Sequence, residues 1–530
     1  MFSTLEPSFS CCRVKPCELY NISVRRQESI ARASLVVLTV TLLSRILGFV
    51  REILIAKFYG AQAVIDSFLV ASVLPSTIAG LIGGALTIVF IPVFIDEREK
   101  KGEEAAWDGT SSLITISFFY LLLMLCLGYV IAPFFIRAIA PGFTQERLRL
   151  AISFSAVMMP SLVFSGLLGL FTGIFNSYRL FTLPTLVGLL YNVCLMTFLV
   201  AARNHPLLSL GVGSTSAIAL QVVILCLVAR KMWPLLRMKF LFSHPMLKKV
   251  WRLMLPIFVG TGVGYLNLIV DRIFASFLPE GTIAALNFAV RVREIPLGLF
   301  VVALSHVVYP VTSSQVAQGK IEEFKDLFAR SLETLWLFVI PASVGLLMLP
   351  EQTVRVLFER GAFTAQATTT TGQALFFYSL GLFAGGSLDL VAKAFYSLQD
   401  TRTPVKVGAI GLIVNTVLNA LLVRPFAHKG LALATSLSST IVFMILIEIL
   451  RRRMRGIGGR ALMKNLMKIS LATIIMGIFV SLLRPLAQTT FGYIVVVSLS
   501  VAIYTVAVLL LKPTSARMIL NRLKSKLGAD

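Results

Sequence analysis

The chain is 530 residues long, with 57% hydrophobic residues, 14% charged residues and a formal net charge of +24. This composition is typical of a protein held mostly in lipid, and it excludes a soluble basic domain with stacking aromatics of the kind that binds nucleic acid. We therefore expect an all-α polytopic membrane protein, because helices satisfy their own backbone hydrogen bonds inside a bilayer.

Apolar runs of about 20 residues predict the membrane-spanning helices. Fourteen such runs follow one another along the chain, near 33–58, 62–95, 111–139, 149–177, 182–202, 208–230, 251–278, 282–310, 331–349, 367–396, 404–423, 430–450, 466–484 and 487–511. Clusters of Lys and Arg fall in the even-numbered connections and in both tails, and such clusters collect on the cytoplasmic side of a membrane. The pattern predicts a multi-pass protein with both termini in the cytoplasm.

A repeat relates the two halves of the chain. Matching positions recur 219 to 221 residues apart, as in Ala56 and Ala275, Pro75 and Pro296, and Pro184 and Pro404. Asn192 is followed 223 residues later by Asn415, close to the same spacing. Six helices separate each element from its partner, so the halves share one orientation, as in transporters with parallel repeats. The alternative is a chance echo in a low-diversity apolar sequence.

The repeat predicts two six-helix lobes around a central cavity, with helices 13 and 14 appended. The predicted segments are a cytoplasmic tail at 1–32, an N-lobe at 33–230, a basic linker at 231–250, a C-lobe at 251–450, a second basic linker at 451–465, helices 13 and 14 at 466–511 and a basic tail at 512–530. Lobes of this kind can rock against each other and expose the cavity to each side in turn.

Several arginines lie inside predicted membrane helices, notably Arg45, Arg51 and Arg291. A charge at bilayer depth costs at least about 2.5 to 3.5 kcal/mol, so such residues mark a cavity or a binding site. Guanidinium groups bind diphosphate through paired hydrogen bonds, and Glu294, three residues after Arg291, can orient it. We predict a diphosphate site, whereas the alternative is that Arg45 and Arg51 extend to the membrane interface.

A second candidate site surrounds Asp271, a carboxylate in predicted helix 7. With oxygen donors from Asn415, Asn419 and Thr435 it could bind Na⁺ or cycle a proton as the coupling ion, whereas polar contacts between helices are the alternative. The histidines are scattered and no zinc-type spacing or phosphate-binding loop is present, so we predict no enzyme, no metal centre and no other cofactor.

Four motifs resemble the MurJ/MviN family of the multidrug/oligosaccharidyl-lipid/polysaccharide flippase superfamily. They are SRILGFVRE at 44–52, APGF at 140–143, LFERGAFT at 357–364 and FYSLQDTRTP at 395–404. The resemblance implies a fourteen-helix flippase that moves lipid II, a peptidoglycan precursor, across a bacterial inner membrane. It also implies that Arg45, Arg51 and Glu52 are the helix-1 charges of the site, with Arg291 on helix 8. Expected partners are a lipid-linked saccharide, membrane lipids and cell-wall synthesis proteins.

The sequence departs from that family at two places. Asn419 stands where a carboxylate is expected, and helix 2 reads VLPSTIAG at 73–80, without the family's arginines. A flippase for another polyprenyl-diphosphate saccharide, such as an exopolysaccharide or teichoic-acid unit, is therefore the alternative. A membrane glycosyl- or phosphotransferase would need free carboxylates, for which the acidic stretch 96–108 is the candidate. A drug or cation antiporter is disfavoured, because its cavity would not be lined by arginine.

Overall fold

The computed structural model describes residues 30–230, 238–241 and 244–518. Throughout these residues the chain is helical and has no strand. Fourteen long helices follow one another: α1 Ile30–Tyr59, α2 Ala63–Lys101, α3 Glu103–Ile139, α4 Gln145–Ser177, α5 Thr182–Ala201, α6 Leu207–Val228, α7 Pro245–Ser276, α8 282–317, α9 Ile321–Met348, α10 365–397, α11 Arg402–Phe426, α12 His428–Arg453, α13 Gly459–Leu483 and α14 Thr490–Leu511.

The prediction of an all-α polytopic protein with about fourteen helices is confirmed. Within the described residues, ten helices are long and apolar enough to cross a membrane, or twelve when each of two bent pairs is one span. The remaining long helices are α1 and α8, which carry the arginines of the predicted diphosphate site. The predicted tails 1–32 and 512–530 and the linker 231–250 lie partly or wholly outside the described residues.

Breaks occur in the second helix of each lobe. A π-helical turn occupies Gly80–Gly84 in α2, where the glycines predict a break, and another occupies Leu297–Val301 in α8. The two turns begin 217 positions apart, close to the repeat length. The tenth helix bends by 48° between Leu380 and Leu382. Such irregular turns inside long helices free backbone groups and often mark functional positions.

The two lobes are packed together at the end of the bundle where α1 ends. The backbone amide of Ala362 donates to the carbonyl of Lys57 at 2.8 Å. Gly60 has a φ of +59°, and a Cβ there would lie 2.3 Å from the Ala362 carbonyl oxygen, so only glycine fits this approach. The ring of Phe358 contacts Phe49 of α1 and Phe288 of α8. We call this region the closed end.

The appended pair α13 and α14 packs against α9 of the C-lobe. Glu333 of α9 is buried and accepts hydrogen bonds from Asn465 Nδ2 at 2.9 Å and from the backbone amide of Ser515 at 2.7 Å. Tyr504 of α14 donates to the carbonyl of Leu337 at 2.7 Å. A buried carboxylate needs such donors, because leaving it unpaired away from water is costly. These contacts attach the pair to the C-lobe.

Candidate functional site

The predicted diphosphate residues lie together. A cavity of about 440 Å³ opens between α1 and α8, hence between the two lobes, and all five predicted residues line it: Arg45, Arg51, Glu52, Arg291 and Glu294. Arg45, Arg51 and Glu52 lie on α1, the first helix of the N-lobe, whereas Arg291 and Glu294 lie on α8, the second helix of the C-lobe. The cavity therefore presents guanidinium groups from both lobes.

Arg51 is the most restrained of the three arginines. Its Nη2 donates to Glu52 Oε1 at 2.7 Å and its Nη1 donates to Asn192 Oδ1 at 3.0 Å. The guanidinium lies 5.6 Å from the centre of the Tyr191 ring, and its Nε has no hydrogen-bond acceptor among the described residues. Two anchors and an aromatic face thus fix the plane of this group while part of its donor set stays unused.

Arg291 approaches the same carboxylate from the other lobe. Its Nη1 pairs with Glu294 Oε2 at 3.1 Å, and its Nε lies 3.7 Å from Glu52 Oε1. The Arg291 side chain is 42% exposed, whereas that of Glu52 is 8% exposed. One oxygen of Glu52 therefore joins Arg51 of the N-lobe to Arg291 of the C-lobe. The longer of its two contacts is the one that crosses the cavity.

Arg45 differs from both in having no ion pair or hydrogen bond within the described part of the chain. Its guanidinium lies against Gly298 of α8, where a Cβ would be only 2.0 Å from Arg45 Nη1. The lining holds three arginines and two glutamates, which leaves one positive charge unbalanced. Arg45 is the uncompensated cation, and any side chain at position 298 would displace it.

The residues predicted for a cation site are only partly together. Asn419 Nδ2 donates to Asp271 Oδ1 at 2.8 Å and to Asn415 Oδ1 at 2.9 Å. Thr435 donates instead to the carbonyl of Leu431, in its own helix, at 3.0 Å. No group of three or more His, Cys, Asp or Glu side chains that could hold a metal ion occurs in the described residues.

Two arginines that the sequence prediction left out of the cation site lie close to it. Arg272 and Arg293 both interact electrostatically with Asp271, and Arg293 stacks over the ring of Tyr378 at 5.2 Å. With an N–H of Asn419 between the two oxygens and two guanidinium groups nearby, this arrangement does not fit a bound cation. The only sequence signal was that Arg272 directly follows Asp271.

Asp66 is another residue whose role is shown only by the structure. It is fully buried at the start of α2 and accepts from Arg147 Nη2 at 2.8 Å. It also accepts from the backbone amides of Gly281 and Ala284 in the first turn of α8. A carboxylate of the N-lobe thus caps a helix of the C-lobe at the closed end. The available signal was an acid within an apolar run.

The acidic stretch 96–108 is the joint between α2 and α3, which meet at Gly102 with a φ of +89°. Asp96 pairs with Lys100 at 2.8 Å and with Lys249 at 2.5 Å. Lys239 pairs with Asp108 at 2.5 Å. Asp96 and Asp108 are thus engaged by cations of the same chain, which leaves neither of them as the free carboxylate that a transferase would use to bind Mg²⁺.

Two parallel lobes with a cationic cavity between them define a secondary transporter of the membrane. The fold is similar to the solved inward-facing structure of a multidrug resistance MATE family transporter of the MOP superfamily, with a TM-score of 0.67 over 80% of this chain and 98% of that one, at 10% sequence identity. That likeness concerns the fold alone.

The chain belongs to the MurJ family, because the family model described as lipid II flippase MurJ matches residues 55–502. A probable lipid II flippase MurJ of Rhizobium tropici is 32% identical over 78% of this chain and 79% of its own length. The lipid II flippase MurJ of Burkholderia cenocepacia is 30% identical over 80% and 84%. A solved lipid II flippase MurJ in an inward closed conformation matches 89% of this chain and 98% of that one, with 25% identity and a TM-score of 0.78.

The matched range 55–502 contains Arg291 and the Asp271 cluster but begins after Arg45, Arg51 and Glu52 of α1. The case for Arg45, Arg51 and Glu52 therefore depends on their position in the cavity of this chain.

Proposed function

We propose that this protein translocates lipid II, an undecaprenyl-diphosphate-linked peptidoglycan precursor, from the cytoplasmic to the outer leaflet of a bacterial inner membrane by alternating access. The names of its relatives support the substrate. The observation that carries the proposal is the convergence of Arg45, Arg51 and Arg291 on one cavity between the lobes. A diphosphate is the lipid headgroup element that such guanidinium groups recognise best.

In this mechanism the diphosphate first meets Arg45, the uncompensated cation. It then competes with Glu52 for Arg291, since their contact is long at 3.7 Å and Arg291 is partly exposed. Arg51 remains held by Asn192 and adds its unused N–H groups. Because the arginines belong to different lobes, capture of one anion by both draws the lobes together around the headgroup. The lipid tail stays in the bilayer throughout.

The proposed orientation puts both termini in the cytoplasm and the closed end at the outer face. The basic cluster at 451–455, where α12 ends, supports this direction. The same orientation makes the lobes and linkers predicted from the repeat the moving units. No bond is made or broken in this cycle, so the protein acts as a transporter. Enzymes of cell-wall synthesis, which supply and consume lipid II, are its candidate partners.

Membrane potential or a coupling ion can drive the return of the lobes. One charge that crosses 100 mV is worth about 2.3 kcal/mol, which is enough to bias an alternating equilibrium. The membrane potential can act on the unbalanced positive charge of the cavity, which Arg45 carries.

The sequence of α2 favours a second substrate class. The stretch 73–80 lacks the arginines that the family resemblance implies there, and the π-helical turn Gly80–Gly84 begins at its end. A Cβ at Gly80 would lie 1.7 Å from the hydroxyl oxygen of Tyr265. The stretch 73–84 of α2 therefore adds no positive charge for the headgroup. A polyprenyl-diphosphate carrier with a different saccharide would use the same diphosphate site but a different wall.

Complementation tests the proposal. The chain is expressed in bacteria depleted of their own lipid II flippase, and lipid II at the outer leaflet is measured for wild type, Arg45→Ala and Arg291→Ala. The matched control is Arg330→Ala, because Arg330 lies on the exposed face of α9 beside Asp326. We expect rescue by wild type and the control and failure of the cavity variants at equal membrane levels.

Failure of a properly inserted wild type would instead favour another lipid-linked saccharide. Full rescue by both cavity variants would show that the arginines do not form the site.

A further inference from the structure

We propose that Asn192 is a positioning residue of the substrate site: its amide holds Arg51 in the orientation that leaves donors free for the diphosphate. This inference rests on the proposed function, because it assigns a role within the same site. Asn192 lies on α5, outside the cavity lining, and it acts only through Arg51.

The amide of Asn192 is fixed at both ends by α1. Its Oδ1 accepts from Arg51 Nη1 at 3.0 Å, while its Nδ2 donates to the Ser44 carbonyl at 3.3 Å and the Ser44 hydroxyl at 3.4 Å. Asn192 is 6% exposed. Because Nδ2 is committed to a backbone carbonyl, the oxygen of the amide must face Arg51. The orientation is therefore set by the fold rather than by the arginine.

Removal of the Asn192 oxygen would change which N–H groups of Arg51 are free for the substrate. A guanidinium has five N–H donors, and carboxylates take two of them at once when the geometry allows. Of the Arg51 donors, Glu52 now takes only Nη2, at 2.7 Å, because Nη1 is held by Asn192. Without Asn192, Arg51 is free to turn its paired donors onto Glu52. The substrate would then face a neutralised arginine.

The C-lobe contains a related arrangement on the corresponding helices. Asn415, the repeat counterpart of Asn192, lies on α11 and accepts from Asn419, which donates to Asp271 of α7. In both lobes, amides on the fifth helix hold a charged side chain of the first helix. The N-lobe holds a cation and the C-lobe an anion, so only the N-lobe arrangement serves an anionic substrate.

A merely structural role for Asn192, as a polar contact between α1 and α5, makes a different prediction. Loss of a packing contact weakens the protein whether or not Arg51 is present. Loss of a positioning contact lowers substrate affinity only while Arg51 is there to be positioned. A double-mutant cycle separates the two.

The experiment uses the full chain in lipid nanodiscs and bare undecaprenyl diphosphate as the probe, so that its outcome does not depend on the saccharide. We expect Asn192→Leu to weaken binding about tenfold, and to change it less than twofold in an Arg51→Ala background. Asn192→Asp, which keeps the shape but adds a negative charge beside Arg51, should weaken binding more than Asn192→Leu. Thr197→Leu, an exposed change on the same helix, is the control and should bind as wild type does.

Thermal unfolding confirms that each variant is folded. If Asn192→Leu does not fold, the isosteric Asn192→Asp replaces it in the binding comparison. If Arg51→Ala weakens binding but Asn192→Leu binds as tightly as wild type, the inference is overturned. The inference is also overturned if the affinity of the double variant falls by the product of the fold-losses measured for Asn192→Leu and Arg51→Ala alone. If Arg51→Ala itself binds normally, the assignment of Arg51 to the proposed site falls, and the inference falls with it.

Discussion

Arg147 and Asp66 form a buried ion pair of 2.8 Å, with the carboxylate fully buried and the arginine 6% exposed. The carboxylate also accepts from the backbone amides of Gly281 at 2.7 Å and Ala284 at 2.8 Å. Arg147 and Asp66 belong to the N-lobe, whereas the two amides open α8 of the C-lobe. One charged group thus joins the lobes at the closed end, which must separate when the cavity opens to that side.

We predict that Asp66→Asn opens the closed end. The neutral amide leaves Arg147 buried without its counter-charge, and the loss of one partner of a buried pair costs about 3 to 5 kcal/mol. Spin labels at positions 62 and 280, in a cysteine-free background, report the separation between the loops before α2 and α8. We expect a longer, broader distance distribution and reduced transport. Asp326→Asn, a change at an exposed residue of α9, is the control, and an unchanged distribution in Asp66→Asn would contradict the prediction.

A second prediction concerns Glu52, whose Oε1 contacts both Arg51 and Arg291. Glu52→Gln raises the charge of the cavity from one to two, and we expect undecaprenyl diphosphate to bind about fivefold more tightly, equivalent to about 1 kcal/mol. Transport should fall, because the substrate is released less easily and the lobes lose their bridge. Equilibrium binding and leaflet assays on the same preparations measure both effects. Glu294→Gln, whose carboxylate is 49% exposed, should show a smaller gain, and weaker binding by Glu52→Gln would refute the model.

The charged residues of the site could be predicted from the sequence because each is conspicuous where it lies. Arg45, Arg51 and Arg291 interrupt apolar runs, whereas the contact between α1 and α8 across the cavity was not predicted. The partners could not be predicted, since they depend on packing. Asn192 is 141 positions from Arg51, and nothing in a sequence indicates which of many polar residues will meet it.

The helix breaks, too, could be predicted only in part from the sequence. The glycines of α2 predict a break, and the structure has a π-helical turn there. The equivalent turn in α8 contains a single glycine, Gly298, so its sequence gave little sign of it. That turn forms through packing against α9 and α10, with Val301 in a small cluster beside Leu335 and Leu382. Tertiary contacts determine helix geometry at such a position, whereas local preference does not.

A third prediction concerns the coupling ion. In wild type the Asn419 amide donates to both Asp271 and Asn415, so we expect transport that does not depend on Na⁺. Asn419→Asp replaces the donor with a second carboxylate beside Asp271, and paired carboxylates with an amide oxygen are suitable ligands for a hard cation. We expect this variant to need Na⁺. Transport in sodium and in choline buffers distinguishes them, with Asn419→Leu as a control that removes the donor and adds no ligand. Strong sodium dependence of the wild type would contradict the prediction.

The fourth prediction is a pH dependence of stability at Asp400, in the connection between α10 and α11. Burial alone would raise the pKa of this carboxyl group, but hydrogen bonds from the Thr403 amide at 3.0 Å and hydroxyl at 2.7 Å, together with the ion pair to Arg453, outweigh it and lower the pKa below its ordinary value. A group whose pKa is lower in the folded than in the unfolded protein stabilises the fold above its unfolded pKa. That contribution is lost as the pH falls through the folded pKa.

Asp400→Asn keeps an oxygen that can accept from the Thr403 amide but removes the charge that pairs with Arg453, so it should lower the free energy of unfolding by about 0.5 to 1 kcal/mol near neutral pH, in the usual range for a partly exposed ion pair. The gap between wild type and variant should shrink below about pH 4, where the carboxyl group takes up a proton in the unfolded chain and then in the folded one. Thermal unfolding in detergent at neutral and acidic pH measures this gap. Asp326→Asn, at an exposed position on α9, provides the baseline for loss of a carboxylate without these bonds. A gap that stays constant between the two pH values would mean that Asp400 contributes through packing and hydrogen bonding, independently of its charge.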